Sequence, residues 1–366
     1  MSNPASNDLK CTTMLSPKEK HDKIIRATDL DALSCRASAN RKGYFVPPDI
    51  HIDELIRSYQ QNLPFCEGYT KLSAGRLLRA LEEPKFPLIN RGTYLRTEAI
   101  NSVVECFVLA HPKCQIVSLG GGSDTRCFRV LESKHDVVYT EIDFPESTKI
   151  KKLAVANSPQ LQKIVGLSLS PTVVNSKAEF SALDPSLHTP RYHLVGLDLR
   201  TLKEAGTANS GLDFLDPETP TLVISECVLC YLSPEDNEQV ISFWKALLRK
   251  PSFVVYEPMA LDDAFGETMA QNLRNRGIDL QAFEKFPNLE SRKVFFQQLG
   301  LASVLTDMSR VGGYSEGSWF GPLDQQRISR LEMIDEVEEI RLLLQHYCLI
   351  CAGVTVEEFS GLNWAL

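Results

Sequence analysis

At 366 residues the chain can bury the core of one large α/β domain or two smaller ones, and 43% hydrophobic with 23% charged residues excludes disordered and fibrous classes. Its 39 Lys and Arg against 47 Asp and Glu leave a formal net charge of −8, the wrong sign for phosphate-backbone binding, so no nucleic-acid partner is expected. No apolar run reaches 18 residues, and the opening MSNPASNDLKCTT lacks a secretory core; a cytoplasmic or nuclear protein with no membrane partner is expected.

Residues 1–25 are polar and aperiodic and read as a mobile arm. Apolar spacing over Ile50–Leu81 and again over Arg96–Leu109 predicts helices, which make residues 26–110 a helical cap. Five β-rich runs follow: Gln115–Leu119, Val137–Ile142, Tyr192–Leu197, Thr221–Ser225 and Ser252–Tyr256. Helix-length segments separate most of them, the rhythm of a doubly wound parallel sheet. A Ser-, Pro- and Asn-rich insertion at about 150–191 interrupts the pattern, with a short helix at Leu161–Leu167. Further helices are predicted over Pro234–Arg249, Leu261–Arg276 and, after the segment Ser291–Leu299, over Ile328–Leu344. A run at Ala302–Thr306 and a last strand, His346–Val354, complete seven strands in one domain over 26–366.

The first run ends in three glycines, QIVSLGGGSDTR over Gln115–Arg126, where missing Cβ atoms let a ligand approach the backbone. Asp143 ends the second run, about 20 residues on, where nucleotide-binding folds hold a ribose. A dinucleotide fingerprint needs a third glycine where Thr125 stands, and a Walker loop needs a lysine soon after Gly122, yet the next is Lys134. Both phosphate-bearing classes are disfavoured. A glycine turn followed by Asp124 suits a phosphate-free cationic cofactor, which describes S-adenosylmethionine.

Ligands in such sheets sit beyond the carboxyl ends of the strands. The residues there are Gly120, Asp143, Asp198 with Leu199, Glu226 and Glu257, and four acidic tips together point to a pocket. Cys227 with Cys230, and Cys348 with Cys351, have C-x-x-C spacing, but the pairs lie 117 residues apart in apolar runs and read as buried thiols. The seven histidines form no metal-binding pair, so no metal is expected.

The segments DALSCRAS (Asp31–Ser38), PLINRGTYLRT (Pro87–Thr97), VSLGGGSDTR, YTEIDFPES, VGLDLR, PTLVISECVLCYL (Pro220–Leu232) and FGETMAQNL (Phe265–Leu273) resemble, in order, those of leucine carboxyl methyltransferases. The resemblance runs from about Asp29 to about Val354. It implies a class I methyltransferase (Rossmann-like) fold, an S-adenosylmethionine cofactor leaving as S-adenosylhomocysteine, and methyl esterification of the C-terminal leucine of the type 2A protein phosphatase catalytic subunit, with this chain a monomer. By the same resemblance Gly120 lies against the cofactor, Asp143 holds its ribose, and Asp198 and Leu199 flank the adenine. Arg96 and Arg36 face the methionine carboxylate, Arg36 standing where many members carry lysine, and Glu226 takes the amino group. Tyr231 donates to the acceptor carboxylate and Arg200 helps neutralise it. Tyr256 is expected in the core. Competing readings are a methyltransferase acting on tRNA or a small carboxylic acid, a nicotinamide-dependent oxidoreductase, and a phosphatase-binding module without turnover.

Overall fold

The computed structural model describes residues 16–133, 135–202 and 211–366. Its strands are β1 (Lys113–Leu119), β2 (Asp136–Asp143), β3 (Leu187–His188), β4 (Tyr192–Gly196), β5 (Thr221–Glu226), β6 (Pro251–Pro258), β7 (Ala302–Asp307) and β8 (Tyr347–Gly353). They pair in the order β3-β4-β2-β1-β5-β6-β8-β7. From β4 to β6 the sheet is parallel, and β8 runs antiparallel to both β6 and β7. This is the expected class I methyltransferase sheet with one strand more. The eighth, β3, pairs antiparallel with β4 through only two residues, too few for an alternating pattern to register.

The central strands read as continuous apolar runs because both faces are covered. Ile116, Leu222, Ile224 and Val254 pack on one side with Val103 and Phe107; Val117, Val223, Phe253 and Val255 pack on the other with Trp244 and Phe296. That two-sided burial leaves the strand ends as the open edge of the central sheet where polar side chains can meet a ligand.

Helices α1 (Pro17–Arg41), α2 (Ile52–Asn62), α3 (Lys71–Glu82) and α4 (Pro87–Ala110) precede the sheet. The arm expected over 1–25 is corrected in its second half, since residues 17–25 open α1; residues 1–15 lie outside the described residues. A capping box starts this helix: Glu19 N–H donates to Ser16 Oγ at 3.2 Å and Ser16 N–H to Glu19 Oε2 at 2.6 Å, with Pro17 in the first turn. Helix α4 is not only cap, since its buried face joins the core beneath β1 and β5.

After β1 comes the short α5 (Arg126–Glu132), and after β2 come α6 (Pro145–Asn157), α7 (Pro159–Val165) and α8 (Lys177–Ala182). The expected insertion therefore begins later than 150, because residues 150–157 complete the crossover helix α6. The helix predicted at Leu161–Leu167 is α7. Helices α9 (Pro234–Leu247) and α10 (Ala264–Asn275) stand where expected within a few residues. The single helix expected over Ile328–Leu344 is two, Pro322–Ser329 and Val337–Gln345. Buried Arg91 donates to the backbone carbonyls of Ile328 at 2.7 Å and Glu332 at 3.5 Å, acceptors a continuous helix would use, and Asn90 donates to the Glu332 carboxylate at 2.9 Å.

Candidate functional site

The glycine turn is shaped by what packs behind it. Gly120 and Gly122 adopt φ of +60° and +40°, a region that side chains with a Cβ rarely enter. A Cβ on Gly120 would stand 2.5 Å from Val228 Cγ2, one on Gly121 would stand 3.0 Å from Glu141 Oε1, and one on Gly122 would collide with the Asp29 carboxylate. The space expected for a ligand is thus partly taken by protein. Asp29 closes the arrangement, accepting from Ser123 N–H at 2.7 Å, from Ser123 Oγ at 2.6 Å and from the Tyr59 hydroxyl. These bonds dock α1 onto the turn.

Beyond the turn lies a cavity of about 360 Å³. Arg36 and Arg96 enter it from α1 and α4, and Gly120, Asp143, Asp198, Leu199, Arg200, Glu226 and Tyr231 from the strand ends. Every site residue singled out from the sequence in these roles lines this space, although they lie up to 195 positions apart. Gly122 does not, and neither does Glu257. The expectation that Glu257 is a fourth acidic tip facing a ligand is corrected: its side chain points inward and accepts from the backbone N–H groups of Val228, Leu229 and Cys230 at 3.2, 3.0 and 2.9 Å. Tyr256 is in the core as expected, stacked on Tyr347 with centroids 5.3 Å apart.

Charges in the cavity alternate. Arg36 Nη1 lies 2.7 Å from Asp124 Oδ1, Asp124 pairs with Arg126, Arg126 reaches Glu226 Oε2 at 3.3 Å, and Arg96 Nε meets Glu226 Oε1 at 2.5 Å. Burial alone would raise both carboxyls, but Arg126 and Arg36 hold Asp124, and Arg96 and Arg126 hold Glu226, below the usual carboxylate range. Both stay ionised. Beneath them Lys151 donates to the Asp124 carbonyl at 2.6 Å and to Glu141 Oε1 at 2.7 Å, and Glu141 Oε2 accepts from Tyr192 at 2.6 Å. This buried layer fixes the turn from below.

Asp143 behaves differently. Its two oxygens accept from Gly122 N–H at 2.7 Å and Phe144 N–H at 2.6 Å, yet burial and then the neighbouring Asp29 charge push its carboxyl up to about 7. Tyr231 is held well above the ordinary phenol value, chiefly by burial, so its hydroxyl remains a donor.

Arg200 departs from its expected role. Its guanidinium grips Asp198 through two bonds of 2.8 and 2.7 Å and lies 2.9 Å from Asp22, so its charge is already matched within the protein. It orients the Asp198 carboxylate. Apart from Arg36, sequence reasoning also missed the wall built by α1, where Asp22, Ile25, Asp29 and Ala32 line the cavity in step with Arg36. Their three- and four-residue spacing is a helix face, and reading SPKE as a capping box would have exposed it. Met269 and Leu273 of α10, with Ile278 and Leu280, add an apolar side.

Cys230, Cys348 and Cys351 are buried free thiols, and half-buried Cys227 lines the cavity with its thiol pushed up to about 12 by burial. Among the described residues, no group of three or more His, Cys, Asp or Glu is placed to hold a metal, and no helix is long and apolar enough to cross a membrane.

A family model described as leucine carboxyl methyltransferase matches residues 25–245. Among curated proteins, leucine carboxyl methyltransferase 1 of Debaryomyces hansenii is 54% identical over 92% of this chain and 94% of its own length. The proteins of that name from Candida albicans and Yarrowia lipolytica are 50% and 38% identical, covering 96% and 91% of this chain and 98% of their own lengths in both cases.

Proposed function

The chain belongs to the leucine carboxyl methyltransferase family, and from that premise we propose that it moves the methyl group of S-adenosylmethionine onto the α-carboxylate of a C-terminal leucine, that of the type 2A protein phosphatase catalytic subunit. The observation that carries this reading is the meeting of Asp143, Asp198, Glu226, Arg36 and Arg96 around one cavity in which acids and bases alternate. Such a lining suits a zwitterion bearing one further positive charge. A dinucleotide would bring two phosphates against Asp29, Asp124 and Asp143, which opposes the nicotinamide reading.

S-adenosylmethionine, when bound, supplies a methyl group made electrophilic by a sulfonium. Everything else falls to the chain. Asp143 accepts from ribose hydroxyls, Asp198, held in place by Arg200, and Leu199 flank the adenine, and the Arg96–Glu226 pair with Arg36 receives the carboxylate and amino group of the methionine end. A leucine carboxylate is already ionised at neutral pH, so no residue has to remove a proton from it. The work left is placement: Tyr231 donates its hydroxyl to the acceptor and the apolar side of the cavity excludes water. With Arg200 assigned to holding Asp198, the tyrosine is the chief polar contact assigned to the acceptor.

The reading is tested by transfer of labelled methyl to a phosphatase catalytic subunit ending in leucine. Label should appear as a base-labile ester and vanish when the terminal leucine is deleted. Label that survives the deletion would exclude this acceptor.

A further inference from the structure

Between the glycine turn and Tyr231 stands a short piece of backbone that nothing in the proposed chemistry uses. Strand β5 ends at Glu226, Cys227 turns the chain with φ of +54°, and the 3-10 turn Leu229–Tyr231 follows. Cys227 N–H still donates to the Tyr256 carbonyl at 2.8 Å, continuing the pairing with β6. The next three N–H groups, those of Val228, Leu229 and Cys230, have no carbonyl to meet. All three converge on the carboxylate of Glu257, the residue after Tyr256, at 3.2, 3.0 and 2.9 Å. Successive N–H groups aimed at one anion form a nest that fixes the path of the turn.

Glu257 is completely buried, an expensive position for a carboxylate unless something offsets it. Burial raises its carboxyl, and the charge of Arg292, also buried and set 4.6 Å over the Phe286 ring, works with the three N–H groups against that rise; the Cys348 thiol donates to the Glu257 backbone carbonyl at 3.4 Å. The turn so held has two working faces. Val228 fills the space left by the missing Cβ of Gly120, and Tyr231, three residues on, opens into the cavity.

We propose that Glu257 is a positioning residue for methyl transfer: by gathering the N–H groups of Val228, Leu229 and Cys230 it sets the Tyr231 hydroxyl at a fixed distance from the glycine turn, tying the acceptor side of the cavity to the donor side. This rests on the reading of Tyr231 as a contact to the acceptor carboxylate. Glu257→Gln keeps the shape but replaces one accepting oxygen by an N–H₂ group that faces donors, so the turn loosens without a new void.

The test is a double-mutant cycle of Glu257→Gln and Tyr231→Phe, with turnover, calorimetric affinity for S-adenosylhomocysteine and amide exchange at Val228–Cys230 as readouts. Glu257→Gln should lower turnover about tenfold, speed exchange of those three amides, and leave product affinity within about twofold. In the Tyr231→Phe background it should cost nothing more in turnover. A full additional loss in that background would show that Glu257 acts independently of the tyrosine and would overturn the proposal while leaving the methyltransferase reading intact. If Tyr231→Phe alone left turnover unchanged, the reading of the tyrosine would fail, and this inference with it.

Discussion

Asp143 offers a quantitative test because its carboxyl is pushed up to about 7, first by burial and then by Asp29. Two ribose hydroxyls can donate to both of its oxygens, as charge-assisted bonds, when it is ionised, and a proton on either oxygen removes that pairing. With that value the ionised fraction is about 0.9 at pH 8 and about 0.1 at pH 6, so cofactor affinity should weaken about tenfold between them, or about 1.4 kcal/mol. The sign follows from linkage: the free protein holds a proton on Asp143 below neutrality, and binding must expel it. By the same argument the native state binds more protons here than the unfolded chain does, so this group's contribution to stability, in the absence of cofactor, is lost as pH rises from about 4 towards 7. Calorimetry of S-adenosylhomocysteine binding at half-unit intervals from pH 6 to 8 measures the slope. His21 also lines the cavity, so Asp143→Asn is the required control. Its affinity should be lower at pH 8 and nearly flat with pH. An unchanged slope in Asp143→Asn, or a flat profile in the unaltered protein, would refute the reasoning.

Tyr231→Phe removes one hydrogen bond to a charged acceptor, worth about 1.5–3 kcal/mol, and should slow turnover about 10- to 150-fold with cofactor affinity within about twofold; steady-state kinetics beside calorimetry separates the two. Since burial holds the Tyr231 phenol well above 10, its deprotonation should produce no decline in turnover up to pH 9. Lys151→Met strands the Glu141 carboxylate, which is raised by burial already, and should cost about 3–5 kcal/mol in urea unfolding. That loss should shrink as pH falls and Glu141 takes up a proton. Gly122→Ala forces a Cβ against Asp29 at φ +40° and should cost about 1–3 kcal/mol while weakening cofactor binding. Gly166→Ala, at φ +71° with no neighbour within 4 Å, should cost only about 1 kcal/mol, since there only the backbone objects.

The sheet was legible because its central strands are buried on both faces, which writes them as apolar runs with their last residues at the ligand edge. Gly120, Asp143, Asp198 and Glu226 could be picked out for that reason, and the family resemblance located Arg36 and Arg96, which no local pattern ties to a cavity. What stayed hidden depended on direction rather than position. Glu257 sits at a strand tip like Glu226, but the three N–H groups beyond Cys227 draw its carboxylate inward. Arg200 carries a charge suited to an acceptor, yet Asp198 lies two residues away and claims it. The break between Ser329 and Val337 answers to Arg91, more than 230 residues earlier, and no window over the helix contains that information. The first turns of α1 were legible but overlooked, their cap standing in Ser16 to Glu19.

The central claim is that side chains at the strand ends hold a sulfonium donor with its methyl facing a peptide carboxylate. A crystal structure of the protein with S-adenosylhomocysteine and a leucine-terminated phosphatase tail tests it most directly. The account predicts the ribose on Asp143, the adenine beside Asp198 and Leu199, the amino group at Glu226, and the leucine carboxylate between the cofactor sulfur and the Tyr231 hydroxyl. A nucleoside lying away from Asp143, or a tail carboxylate on the side of the sulfur remote from Tyr231, would contradict it.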